Sequence, residues 1–141
     1  MGLELSEYID RSPAEVFRFY AVEHVQNHPR WDPDMHLEQV SPGPVGVGTV
    51  IHRHTDTRYG TPIEGTMEVV EFESDRAFGV VIHDGPVEMR GRTTIAPEGQ
   101  GTRLTVWFEI VGSTDPIDQA PLERTLRNIK TLVETEVPKA S

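Results

Sequence analysis

The sequence predicts a protein of the α+β class, in which an antiparallel sheet packs against one long helix. Three observations carry this prediction. A capped helical segment follows a first strand, short β-rich stretches separated by Gly, Pro and Asp clusters fill residues 48–112, and an amphipathic helix comes after them. Sheet and helix each bury one apolar face, so this order of elements indicates a layered α+β architecture. The 141 residues fit one domain, 1–141, that is large enough to form its own core.

The first strand and the start of the first helix are marked by local signals. Residues 2–10 alternate as a strand. Ser12 precedes Pro13, and Glu15 follows three residues after Ser12. This is a capping box with proline at the first helical position, where no N–H is needed.

The segment after this cap is predicted to be helical and short. Val16, Phe17 and Tyr20 follow at helical spacing. Pro29 and Pro33 are expected to break the helical register.

An antiparallel meander is predicted between residues 48 and 112, which brings the sheet to about seven strands. Alternation is clearest in its last strand, where Leu104, Val106, Phe108 and Ile110 share one face. Strict alternation is typical of a strand with one buried face.

The long helix is predicted from the spacing of its apolar residues. Leu122, Leu126, Ile129 and Val133 step by four, three and four positions, which places them on one side of a helix. Pro138 is expected to end it.

Composition excludes several classes of function. The chain has no cysteine, which rules out disulfides, thiolate metal sites and cysteine nucleophiles. Its formal charge of −10 argues against a nucleic-acid partner. No apolar run is long enough to span a membrane and no signal peptide is recognised, so we expect a cytoplasmic monomer or homodimer. No nucleotide-binding glycine motif or nucleophile motif is present, and no cofactor is predicted.

Four stretches in this order resemble a known family. They are "IDRSPAEVFRFY", "HPRWDPDM" with "GPVGVGTVI", "MEVVEFESDRAFGVVI", and "GQGTRLTVWFEI" with "LERTLRNIKTLVE". Together they resemble the START-like, or Bet v 1-like (SRPBCC), superfamily, and within it the polyketide cyclase/dehydratase and lipid transport group. The resemblance implies a helix-grip fold: a curved antiparallel sheet wrapped around a long C-terminal helix, with short helices after the first strand.

The resemblance implies a cavity between the sheet and the helix, which would bind a lipid, sterol or aromatic polyketide-like molecule. Two alternatives stay open: a polyketide cyclase/dehydratase-like enzyme, and an interaction or regulatory domain with a packed core and no ligand. Trp31 is expected near the cavity mouth or as a packing anchor, and Tyr59 at a hairpin tip as a gate or a simple turn residue. The predicted wall residues are Met67, Val69, Phe78, Val80, Ile82, Met89, Val106, Phe108 and Ile110 from the sheet, and Leu122, Leu126 and Ile129 from the helix.

Histidines are the candidate catalytic residues. His52 and His54 share one face of a strand. On the concave face they would act as a general acid or base, and on the convex face they would be ordinary solvated side chains. The His24/His28 and His52/His54 pairs are too weak a signal to predict a metal.

Overall fold

The computed structural model describes residues 2–55 and 63–139 of the chain. Within these ranges lies a curved, seven-stranded antiparallel sheet, as predicted. Its strands are β1 (Gly2–Ile9), β2 (Met35–Gln39), β3 (Val50–Thr55), β4 (Ile63–Glu73), β5 (Ala77–Asp84), β6 (Val87–Glu98) and β7 (Gly101–Ile110).

Helical segments flank the meander on both sides in sequence. Between β1 and β2 lie α1 (Pro13–Phe17), a π-helical turn (Arg18–Val22) and α2 (His24–Trp31). After β7 comes the long helix α3 (Ala120–Glu136). The structure confirms the predicted helix-grip arrangement.

Strand order explains why helices follow the first strand. The order across the sheet is β1-β7-β6-β5-β4-β3-β2, so the first two strands lie at opposite edges. Each strand from β2 to β7 pairs with its neighbour in sequence, and β7 then pairs with β1. The segment from α1 to α2 therefore carries the chain from one edge of the sheet to the other.

The start of α1 has the predicted capping box. The Glu15 N–H donates to Ser12 Oγ, and the Ser12 N–H donates to Glu15 Oε1, each at 3.2 Å. The expected break at Pro29 was wrong, because Pro29 lies inside α2 and the helix continues to Trp31. Proline gives up only its own N–H bond to the preceding turn, and this helix ends two residues later.

One half of the space between sheet and α3 is a packed core. A register shift between Val69 and Glu71 puts a bulge in β4, and bulges bend a strand. The side chains that fill this half come from β1, α1, the sheet and the later turns of α3. They include Ile9, Val16, Phe17, Val69, Ile95, Leu104, Leu126, Ile129 and Val133, all at most 4% exposed.

Polar contacts fasten the end of α3 to the corner between β1 and α1. Arg11 Nε donates to the Val137 carbonyl at 2.6 Å, and Arg11 Nη2 donates to the Glu134 carbonyl at 2.5 Å. The Asp10 N–H donates to Glu134 Oε2 at 2.8 Å. Carbonyls at a helix C-terminus lack intrahelical donors, so Arg11 satisfies groups that would otherwise need water.

Candidate functional site

The other half of the space between the sheet and α3 is a cavity. A cavity of about 520 Å³ lies between the inner face of the sheet, α2 and the first turns of α3. Packed protein interiors rarely contain voids larger than a water molecule, whereas ligand sites range over roughly 300–1,000 Å³. The cavity volume falls within the range of small-molecule sites.

Most of the wall residues predicted from the sequence line this cavity. They are Trp31, Met67, Phe78, Val80, Ile82, Met89, Val106, Phe108, Ile110 and Leu122. Val69, Leu126 and Ile129 do not line it; they belong to the packed half, where each is at most 2% exposed. Tyr59 lies outside the described residues.

The two candidate catalytic histidines lie on the wrong face for that role. In β3 the buried residues are Ile51, Arg53 and Thr55, which alternate with His52 and His54. Since successive strand residues point to opposite faces, both histidines lie on the convex side. The inward option for His52 and His54 is therefore corrected, and neither lines the cavity.

The inner face of β3 carries a buried ion pair instead of these histidines. Arg53 Nε lies 3.0 Å from Asp84 Oδ1, and the two side chains are 10% and 11% exposed. Arg53 pairs in register with Gly65 of β4, and Gly65 pairs with Asp84 of β5. Neighbouring strands lie about 4.8 Å apart, so the ion pair crosses an intervening strand at the position where that strand has no side chain.

Gly65 is required by this crossing. A Cβ atom at this position would overlap the Asp84 carboxylate and the His83 carbonyl oxygen. Gly91 of β6 plays a different part: a Cβ there would meet only Val80 Cγ2 at 3.5 Å and the Trp107 carbonyl at 3.9 Å. Gly91 thus adds open volume to the cavity without being needed for close backbone approach.

Histidines of α2 supply imidazoles to the cavity wall. His24 Nδ1 lies 2.8 Å from the Tyr20 carbonyl oxygen, and His24 Nε2 lies 2.9 Å from His28 Nδ1. His28 Nε2 in turn lies 4.0 Å from Asp32 Oδ2. His24, His28 and Asp32 all contribute to the cavity lining.

The tautomers in this chain of imidazoles follow from its first acceptor. A carbonyl only accepts, so His24 Nδ1 carries the proton that it donates to Tyr20. Burial lowers the pKa of His24 to about 4, so the ring is neutral at pH 7 and its Nε2 accepts. His28 Nδ1 must then donate to His24 Nε2.

Aromatic packing holds the chain of imidazoles in place. The Trp31 ring stacks on Tyr20 with centroids 5.3 Å apart and an interplanar angle of 3°, and it stacks on His28 at 5.5 Å. The Tyr20 hydroxyl shares a hydrogen bond of 2.8 Å with Thr93 of β6. Trp31 is 2% exposed and also lines the cavity, so it combines the two placements expected for it.

Among the described residues, the charged groups of the wall are mostly acidic. Asp32, Asp84 and Asp118 line the cavity together with the guanidinium of Arg53. Arg53 is paired with Asp84.

A smaller pocket of about 320 Å³ adjoins the cavity. Its lining shares Trp31, Asp32, Pro121 and Thr125 with the main cavity, and adds Arg124 and Asn128 of α3. Asn128 Nδ2 donates to the Trp31 carbonyl at 3.2 Å and so joins α2 to α3 beside this opening.

Sequence reasoning missed the polar end of the cavity. Its strongest available signal was Arg53 between Ile51 and Thr55, because an arginine on an apolar strand face requires a partner. Arg90 and Arg92, the other arginines in the middle of the sheet, point outward: each is about half exposed and paired with a glutamate.

Two further features were looked for in the part of the chain that the structure describes, a metal site and a membrane-spanning helix. No group of three or more His, Cys, Asp or Glu side chains within 2–55 and 63–139 is arranged to hold a metal ion. Across the same residues, no helix has both the length and the apolar character needed to cross a membrane.

Solved structures share this fold at low sequence identity. Ara h 8.0201 superposes with a TM-score of 0.76 at 15% identity, covering 96% of this chain and 99% of its own. TTHA0849 from Thermus thermophilus gives 0.75 at 18% identity, covering 98% and 100%. Norcoclaurine synthase from Thalictrum flavum, solved with dopamine and hydroxybenzaldehyde, gives 0.72 at 16% identity, covering 99% and 89%. These likenesses concern the fold.

Family membership comes from the sequence. No curated protein matches the chain significantly. A family model described as polyketide cyclase / dehydrase and lipid transport matches residues 2–134. The chain therefore belongs to that family, within the START-like, Bet v 1-like superfamily.

Proposed function

We propose that this protein binds a small, mostly apolar molecule in the cavity between the sheet and α3. The observation that carries the proposal is the cavity of about 520 Å³, whose wall is largely apolar. A few convergent polar groups at one end would orient the ligand, which is the usual design of a small-molecule site. Lipids, sterols and aromatic polyketide-like molecules are the candidate classes, and the protein is expected to act as a cytoplasmic monomer or homodimer.

Native mass spectrometry and a thermal-shift screen test this proposal. A ligand that binds only the folded state raises the melting temperature by mass action. We expect a co-purifying mass or a saturable thermal shift with at least one member of a panel of fatty acids, sterols and aromatic polyketides.

A cavity-filling variant provides the matched control. Gly91 lines the cavity and has room for a side chain, so Gly91→Leu should fill part of the cavity while the fold is kept. The shift should disappear in this variant. An unchanged shift in Gly91→Leu, or no ligand for the wild-type protein across the panel, would reject cavity binding and favour an interaction domain.

Catalysis is the second candidate, and one observation favours it. His28 lies on the cavity wall with its Nδ1 hydrogen-bonded to His24 and a carboxylate, Asp32, 4.0 Å from its Nε2. An oriented imidazole of this kind is suited to general acid/base work in a cyclisation or dehydration. The candidates predicted from the sequence, His52 and His54, have no such placement.

Turnover decides between binding and catalysis. The wild-type protein and His28→Gln are incubated with each aromatic polyketide that binds, and products are followed by liquid chromatography and mass spectrometry. A cyclised or dehydrated product that disappears in His28→Gln supports catalysis. A ligand recovered unchanged from the wild-type protein supports binding alone.

A further inference from the structure

We propose that the ligand has two parts: an apolar body that occupies the cavity, and a neutral, hydroxyl-bearing head group that lies in the adjoining pocket between α2 and α3. The adjoining pocket is the smaller space, of about 320 Å³, beside the cavity of about 520 Å³. This inference rests on the proposed binding function and specifies the chemical class of the ligand. It favours a hydroxylated lipid or polyketide over a free fatty acid or a hydrocarbon without a head group.

The cavity and the adjoining pocket share one wall. Trp31 and Asp32 at the end of α2, and Pro121 and Thr125 in the first turns of α3, line both spaces. Among the described residues, the lining of the adjoining pocket comes only from the end of α2, the loop after it and α3. Since the same four residues border both spaces, only their thickness separates a ligand in the cavity from the adjoining pocket.

This wall is a contact between two helices. Asn128 Nδ2 donates to the Trp31 carbonyl oxygen at 3.2 Å, and Thr125 is a half-buried side chain one turn earlier on α3. The opposite side of the cavity is a sheet whose seven strands are joined by backbone hydrogen bonds. Side-chain rotation is faster and easier than the separation of paired strands, so a ligand extends out of the cavity more readily between α2 and α3.

The adjoining pocket differs from the cavity in polarity. Asp34, Arg124 and Asn128 line the adjoining pocket, whereas the cavity wall is largely apolar. All three residues are exposed. Within residues 2–55 and 63–139, Asp34 and Arg124 make no hydrogen bond or ion pair, and Asn128 uses only its Nδ2. A ligand can therefore contact their polar groups without breaking a contact among the described residues.

The mixture of donors and acceptors indicates the kind of head group. The guanidinium of Arg124 only donates hydrogen bonds, an ionised carboxylate such as that of Asp34 only accepts them, and Asn128 Oδ1 also accepts. A hydroxyl group does both. A ligand carboxylate would pair with Arg124 but displace water from Asp34 without replacing its hydrogen bonds, and an ammonium group would do the reverse. A neutral head group with two hydroxyls can satisfy both kinds of group.

Four probes that share a 2-naphthyloxy body test the inference. They are 2-ethoxynaphthalene, 3-(2-naphthyloxy)-1,2-propanediol, (2-naphthyloxy)acetate and 2-(2-naphthyloxy)ethylammonium. Dissociation constants are measured by isothermal titration calorimetry at about pH 7. We expect the diol to bind about tenfold more tightly than the ethyl ether, and more tightly than either charged probe, because its hydroxyls gain protein hydrogen bonds. In a site that is apolar throughout, the diol would bind more weakly than the ether, since its hydroxyls would lose water without gaining a partner.

The probes separate failure of this inference from failure of the proposed function. A diol that binds no more tightly than the ethyl ether, or the tightest binding by a charged probe, would overturn the inference and leave cavity binding intact. No binding by any of the four probes, together with no hit in the ligand panel, would reject the proposed function itself.

Variants assign the effect to the adjoining pocket. Arg124→Ala and Asp34→Ala should each reduce the preference for the diol over the ethyl ether by about threefold or more, with little change in the affinity for the ether. Arg127→Ala is the matched control, because Arg127 is also exposed on α3 but lines neither the cavity nor the adjoining pocket. It should keep the wild-type preference. An unchanged preference in both Arg124→Ala and Asp34→Ala would place the head group elsewhere and overturn the inference.

Isotope-filtered nuclear Overhauser effects locate the two parts of the bound diol directly. The glycerol protons should show contacts to the Thr125 methyl group and the Pro121 ring, and the naphthyl protons should show contacts to the methyl groups of Met67 and Met89 on the cavity wall. Glycerol protons that contact Met67 and Met89 instead would contradict the proposed placement.

Discussion

Arg53 and Asp84 form an ion pair across Gly65, with Arg53 on β3, Asp84 on β5, and the glycine on the strand between them. The pair marks the polar end of a cavity that is otherwise mostly apolar. Its burial makes both partners depend on each other, because neither charge has free access to water.

Replacing one partner of this pair should be strongly destabilising. We expect Arg53→Met or Asp84→Leu to lower the free energy of unfolding by about 3–5 kcal/mol, since each removes the ion-pair partner of a buried charge. The double variant should cost clearly less than the sum of the single ones. Urea unfolding of all four proteins measures the coupling, and additive costs would show that the two residues do not act as a pair.

Gly65 and Gly91 should respond differently to the same added methyl group. Gly65→Ala drives a Cβ into Asp84 and His83, so we expect a loss of about 1–3 kcal/mol, as for overpacked cores. Gly91→Ala makes only ordinary contacts and should stay within about 0.5 kcal/mol of wild type. Thermal unfolding of the two variants measures the difference. Similar melting temperatures would contradict the role given to Gly65.

His24 should make the fold sensitive to mild acid. Burial lowers its pKa to about 4 from 6.5, so below the unfolded value the unfolded chain binds a proton that the native ring does not. The contribution of the neutral His24 ring to the free energy of unfolding is complete above about pH 6.5 and is lost as the pH falls towards 4. The loss is on the order of 3 kcal/mol, because the folded and unfolded pKa values differ by about 2.5 and each pH unit corresponds to about 1.4 kcal/mol.

The measurement is the free energy of unfolding in urea at about pH 7 and about pH 4.5. His24→Phe cannot titrate, so it should be less stable at neutral pH but lose less on acidification. His54→Phe is the matched variant and should keep the wild-type slope. Carboxylates such as Glu71 and Glu134, whose pKa values are lowered, add acid sensitivity below about pH 4.5 in all three proteins, and the comparison cancels it. Equal slopes in wild type and His24→Phe would refute the assignment.

Arg11 should stabilise the end of α3. It donates to two carbonyls of the last turn and the residue after it, so Arg11→Ala should cost about 1–3 kcal/mol and speed amide exchange in that turn. Arg18→Ala is the control, because the Arg18 side chain is 76% exposed and its Nε makes a long ion pair of 3.7 Å with Glu23 Oε2. Exposed pairs of this kind typically contribute under about 1 kcal/mol. Equal effects of the two substitutions would show that the helix end does not depend on Arg11.

Local patterns in the sequence were sufficient for the elements and their order. The capping box at Ser12, the alternation around Val106 and the apolar stripe of α3 each depend on residues close in sequence, and each is found in the structure. Alternation also separates the two faces of a strand, since its period is two. The formal charge and the absence of cysteine, which are also read directly from the sequence, excluded several classes of function.

The position of the cavity depends on the packed chain. Met67 and Val69 share a face of β4, and Leu122 and Leu126 are one turn apart on α3, yet only the first of each pair lines the cavity. The difference arises because side chains of α1 and β1 fill only one half of the space between the sheet and α3. The local sequence pattern of β4 or α3 carries no information about that distant packing. For the same reason, alternation could not tell whether Arg53 or His54 faced inward: that choice depends on the register of three strands, which places a glycine between Arg53 and Asp84.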